Sequence, residues 1–173
     1  VITLTEDALQ VGVGADLTFT PINWATPQTV TVTAVDDMVV EDNPHATQVV
    51  HGIAGADPQY LLLPAPAPKD VSIADNDAPG VTVSPADTNA TEDVGDTGAY
   101  DIVLDASPRV GETVTVTPTV DAQSNVAPAS FVFDSTNWNA PQLFTVTPID
   151  DALSEGPHTT TITHAVASSD ALW

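Results

Sequence analysis

Apolar residues along this chain alternate with polar ones over short runs and never hold the three-and-four spacing of a helical stripe. Thr29–Val35, Val81–Val83, Tyr100–Leu104, Val114–Val116 and Phe144–Ile149 each carry apolar side chains at every second position. That is the period at which a strand sends successive side chains to opposite faces. Fifteen Pro and nine Gly punctuate the runs, which keeps helix content small, because Pro breaks the helical ladder and Gly is the residue of tight turns. Short strands with turn signals about every 8–12 residues predict two packed sheets, each strand burying one face.

The chain also repeats. Leu17–Tyr60 realigns on Phe131–Trp173 at an offset of 114 residues, falling to 113 after one deletion. Phe19 pairs with Phe133, Asn23-Trp24 with Asn137-Trp138, Pro27-Gln28 with Pro141-Gln142, Asp36-Asp37 with Asp150-Asp151, and Glu41 with Glu155. His45 pairs with His158 and His51 with His164. A period of this length is too long for a solenoid and suits a tandem array of Ig-sized domains. The predicted fold class is therefore all-β, a tandem of Ig-like Greek-key β-sandwich repeats. Ala78-Pro79-Gly80 marks the boundary: residues 1–78 form the C-terminal part of a first repeat and 79–173 the N-terminal part of a second. Neither copy is expected to be complete, and Val1 lies inside a strand-like pattern, so the chain is expected to be a window on a longer one. The short linker implies end-to-end contact of adjacent domains. Pro64–Pro68 predicts an extended loop or edge, and Leu61–Leu63 a buried strand end.

Composition narrows the partners. The 24 acidic residues face only Lys69 and Arg109, a net charge of −22. Such a polyanion repels phosphate backbones and anionic headgroups, which excludes nucleic acid as the expected partner. No run of eighteen apolar residues predicts membrane insertion in this segment. Acid-rich surfaces also belong to halophile proteins, which would account for part of the charge. With 42% apolar residues the chain should nonetheless fold. Cysteine is absent, so no disulfide braces the domains, and a metal could take that role. Asp makes up most of the acids, a skew toward turns and metal loops.

Asp-Asp-x-x-x-Glu occurs twice, at Asp36–Glu41 and Asp150–Glu155, each time after a predicted strand, and Asp75 with Asp77 forms a further acidic tip. Two unit charges ~4 Å apart repel by ~4 kcal/mol at an effective dielectric near 20, so several gathered carboxylates would splay without cations. Calcium, with 6–8 oxygen ligands in an irregular shell, would hold them together. The alternative is a solvated turn that merely prefers Asp. His45 and His51 share a strand face, as do His158 and His164, and read either as packing histidines or as a transition-metal pair. Trp24 and Trp138 read as core anchors or as a sugar-stacking platform. Gly12-x-Gly14 lacks the third Gly and the helix of a nucleotide loop. Asn89-Ala90-Thr91 is a formal glycosylation sequon that adds nothing in a chain of bacterial appearance. No nucleophile has a convincing His–Asp partner pattern, and no enzyme is predicted.

Thr91-Glu92-Asp93-x-Gly95, the strand Gly98–Pro108, the Asp-Asp-x-x-x-Glu loop and the terminal Ile73–Asp77 together resemble the Calx-β domains of sodium–calcium exchangers and of large bacterial surface proteins. The resemblance covers nearly the whole chain. It implies Ca2+ ligands at Asp36, Asp37, the Val39 carbonyl, Glu41, Asp75 and Asp77 in the first copy. In the second it implies Glu92, Asp150, Asp151, the Leu153 carbonyl and Glu155, with Asp7 and Asp121 as weaker mid-domain ligands. The chain departs from the family where Pro44-His45 and His158 replace a further acid and Asn76 interrupts the terminal acids. The expected function is a secreted or cell-surface structural or adhesive module of an extracellular array, a surface layer, fibre or adhesin, in which calcium stiffens each junction. Its partners would be neighbouring repeats and copies of itself in a filament or layer. A non-catalytic accessory region of a secreted hydrolase and a calcium sensor are the alternatives.

Overall fold

The computed structural model describes residues 1–85, 88–92, 95–154 and 156–173. These are nearly all β, 38% strand against 2% helix, and every strand pair is antiparallel. Two compact units form: Val1–Asp37 with Asp42–Asn76, and Met38–Glu41 with Asp77–Trp173.

The first unit holds β1 (Ile2–Thr5), β2 (Val11–Val13), β3 (Val32–Ala34), β4 (His45–Ile53), a four-residue α1 (Pro58–Leu61) and β5 (Lys69–Ile73). One sheet runs β1-β4-β5, and β2 pairs β3 in a two-stranded ribbon. Val11, Val49 and Ile73 are its buried apolar residues. Only Val32–Ala34 of the predicted Thr29–Val35 strand forms a ladder. Leu61–Leu63 overturn the expectation of a buried strand end, being 51%, 81% and 54% exposed. The cause lies just upstream. The Asp57 carboxylate accepts the Gln59 N–H at 2.9 Å and Pro58 supplies the first helical φ, so the chain turns into α1 instead of extending.

The second unit holds β6 (Val81–Ser84), β7 (Gly98–Leu104), β8 (Val114–Thr119), β9 (Ser124–Ala127), β10 (Phe131–Phe133), β11 (Gln142–Pro148) and β12 (Thr163–Ser168). They form a four-stranded sheet β6-β7-β11-β9 and a three-stranded sheet β10-β8-β12. Tyr100, Ile102, Leu104, Phe144 and Val146 of the first sheet meet Val114, Val116 and Phe133 of the second in one buried core. The alternation in the sequence is what permits this, since every second residue of β7 is buried, as are Val114 and Val116 of β8 and Phe144 and Val146 of β11. Met38–Glu41 joins this unit by a parallel bridge of Val39 to Ser107. The Val40 N–H donates to the Ser107 carbonyl at 3.1 Å, and Val40 is buried.

The sequence repeat reappears as a repeat of hydrogen bonding. Leu4 faces His51 in β1–β4 and Pro118 faces His164 in β8–β12; Ile2 faces Ile53 as Val116 faces Val166. A side-chain turn recurs as well. Asn23 accepts the Thr20 N–H at 2.6 Å and donates to the Thr18 carbonyl at 3.1 Å; Asn137 accepts the Asp134 N–H at 2.7 Å and donates to the Val132 carbonyl at 3.2 Å. In each copy the following Trp N–H closes the turn at 3.0 Å, onto the Thr20 or Asp134 carbonyl.

The two tryptophans do not share a fate. Trp138 packs against the core of the second unit, whereas Trp24 is 71% exposed. The expectation of a core anchor fails for Trp24 because its flanks, which in the second unit are β10 and β11, are mostly outside strands in the first and bring no apolar layer to the ring.

Candidate metal-binding loops

The Asp36 loop and the Asp75 tip meet within the first unit, joined by amides. Asn76 Nδ2 donates to Asp36 Oδ1 at 3.2 Å, and Asn43 Nδ2 donates to the Asp75 carbonyl at 2.8 Å. Asp36 is exposed, while Asp37 and Asp75 are half-buried. Asn76, between the two acids of the tip, is thus the residue that reaches Asp36. Val39, Glu41 and Asp77 belong to the second unit, all three half-buried.

In the second copy Asp150, Asp151 and Leu153 are exposed. The Asp151 carboxylate turns back on its own loop and accepts the Leu153 N–H at 2.6 Å. Glu155 lies outside the described residues. Glu92 is half-buried on the wall of a groove of about 1260 Å³ that His158 also lines. Asp7 and Asp121 do the same job at the repeat offset, accepting the N–H of Leu9 and of Gln123 at 3.0 Å each. The Thr160 hydroxyl beside it, the Gln123 amide and His158 hold the Asp121 carboxyl below the usual carboxylate range.

Among the described residues, no three His, Asp or Glu side chains are grouped to hold a metal ion. The donors are of the right chemistry, hard carboxylate and carbonyl oxygens. Asp7, Asp121 and Asp151 aim an oxygen at their own backbone two residues on, as short acidic side chains do in turns.

Two further constellations lie in the second unit. Asp170, 2% exposed, receives both arms of the Arg109 guanidinium, Nε at 2.9 Å and Nη2 at 2.5 Å. Arg109 holds the Asp170 carboxyl well below its ordinary range against the opposing effect of burial. Its signal in the sequence was only that Arg109 is one of two cations. His164 Nε2 and the Tyr100 hydroxyl share a hydrogen bond of 2.9 Å, with the His164 ring edge-on to Tyr100 and tilted against Phe144. Burial pushes the Tyr100 hydroxyl up to about 12 and the His164 imidazole down, so both are neutral at pH 7. The His164 ring packs against Tyr100 and Phe144. The groove it borders is floored by Val83, Tyr100 and Val146 and walled by Ile162.

Comparison with protein-family models, with curated proteins and with solved structures gives no match.

Proposed function

We propose that this chain is a structural repeat module of an extracellular array, built from Ig-like Greek-key sandwiches of the Calx-β kind and braced by calcium at its acidic loops. One observation carries this. The 114-residue repeat preserves strand register, the Asn–Trp turn and the Asp-Asp-x-x-x-Glu loop together. A scaffold repeated in tandem keeps such features in phase because each copy must present the same ends to its neighbours. The donors for calcium are the acids of the two loops, those of the Asp75–Asp77 tip, and Glu92. The charge of −22 supports the choice of a cation, since two basic side chains cannot neutralise it.

Calorimetry with and without calcium tests the brace. An ion bound only by the folded chain stabilises it by ~2.7 kcal/mol at a hundredfold excess over Kd, and magnesium should do much less. A melting curve unchanged by EDTA, with calcium absent by elemental analysis, would end the calcium reading. The array is tested separately by the mass of the native protein, expected to be many times the 17.9 kDa of this chain.

A further inference from the structure

Acidic residues are spread unevenly over the secondary structure. Of the 24 acids, only Asp70 and Asp101 stand in the strands of the described residues, and no strand of the sheet β10-β8-β12 carries an Asp, Glu, Lys or Arg. The inner face of that sheet is core, with Val114, Val116 and Phe133 buried. The register sets out the outer face row by row: Thr115 lies between Val132 and Ala167, Thr117 faces Ala165, and Thr119 faces Thr163. Apart from the half-buried Thr115 these residues are exposed, Val132 by 53%. The repeat keeps the face in the first unit. There Thr3 faces Gly52 and Thr5 faces Val50, the counterparts of Thr117 with Ala165 and of Thr119 with Thr163, and Val50 is 45% exposed. The outer face of the sheet β6-β7-β11-β9 differs, since Asp101 stands on it opposite Leu143. The uncharged surface is a face and not an edge, so strands added at either side would widen it without covering it.

We propose that the face centred on Thr115, Thr117 and Thr119 is a lateral contact surface whose partner is the same face of a second copy of this chain. Charge selects the direction of approach. Two copies at −22 each repel wherever their acidic loops meet, whereas apposition of these sheets sets no strand carboxylate against another. Side chains no longer than Val make the surface low, and a second sheet can settle on it at the usual spacing of about 10 Å. Area selects the partner. The three strands present no more than about 300 Å², well below the roughly 800 Å² per partner of a standard interface, so one face binds weakly and gains strength only by repetition. A partner that repeats the same face with the same period of 114 residues is another copy of the chain. This rests on the array reading of the proposed function and names the surface through which its members lie side by side; calcium takes no part in it.

The test uses the whole chain in EDTA and about 0.5 M sodium chloride, which shortens the Debye length to about 4 Å and screens the loops. Amide NMR signals of Thr115, Thr117, Ala165 and Ala167 should move with concentration, with a dissociation constant on the order of 1 mM, and should move less at lower salt. Thr117→Glu sets like charges across the contact and should weaken it at least about tenfold. Thr147→Glu, at an exposed position of β11 in the opposite sheet, should leave it unchanged. Because the chain has no Cys, single thiols give a second measurement: Thr117→Cys chains should form disulfide dimers at least about tenfold faster than Thr147→Cys chains. Spectra independent of concentration, which leave the face to solvent or to a partner of another kind, overturn the proposal. So do shifts confined to the acidic loops, equal association of Thr117→Glu, or association that fades as salt rises. A native mass near 17.9 kDa ends the array reading without touching this equilibrium, and a null result here leaves that mass and the calcium melt as they are.

Discussion

Arg109 and Asp170 concentrate the electrostatics of the second unit in one pair. The carboxylate is buried and the guanidinium half-exposed, so removing the cation strands a charge that cannot reach water. Arg109→Ala should destabilise the second unit by about 2–4 kcal/mol, measured by urea unfolding, and Arg109→Lys should recover only part because an ammonium cannot grip both oxygens. The sign of the pH effect follows. Asp170 has a lowered pKa in the fold, so its contribution is complete above the ordinary carboxylate value near 4 and fades as pH falls through the folded value. The acid limb of the stability curve should be shallower in Arg109→Ala than in the parent. His164, also depressed, acts at higher pH. Its share is full above about 6.5 and declines as acid charges the imidazole, and an NMR titration should place its midpoint below that value. Trp24 and Trp138 separate cleanly in iodide: the exposed ring should quench readily, the packed one poorly. Trp24→Ala should cost under about 1 kcal/mol and Trp138→Ala about 2–4 kcal/mol.

At the scale of elements, the strands were legible wherever alternation was strong. Val81–Val83, Tyr100–Leu104, Val114–Val116 and Phe144–Ile149 all fall on strands, their bounds agreeing within three residues. Thr29–Val35 alternates just as well yet forms only three ladder residues, because a period of two shows that a strand can bury one face, not that a partner lies beside it. Leu61–Leu63 misled for a related reason: three Leu signal burial, but Asp57-Pro58 sets the local backbone first. Of the candidate site, the acidic loops were legible as a repeated motif, while their turn bonding was not, since an Asp that ligates and an Asp that caps a turn are the same letter. The Asn turn was visible only as a conserved pair between copies. Its importance can be measured. Asn137→Ala removes an acceptor and a donor at once and should cost about 1–2 kcal/mol, and Asn23→Ala should act in the same direction in the first unit.

For the molecule as a whole, the near-absence of basic residues has a consequence in proteolysis. Trypsin can cut this chain at two peptide bonds only, after Lys69 and after Arg109. The first lies at the start of the β5 ladder. The second is followed by Val110, 90% exposed, so the scissile bond is accessible in part, but the arginine that must enter the protease is clasped by Asp170. Cleavage at 109 therefore waits for the clasp to open, and its rate at low protease reports the equilibrium of that single opening. Two fragments meeting at Val110 should appear at a rate that rises as pH drops toward the Asp170 midpoint, in an enzyme of the same specificity that tolerates acid. The same two bonds make the folded chain a poor substrate for any protease that reads basic residues, in whatever surroundings it meets one.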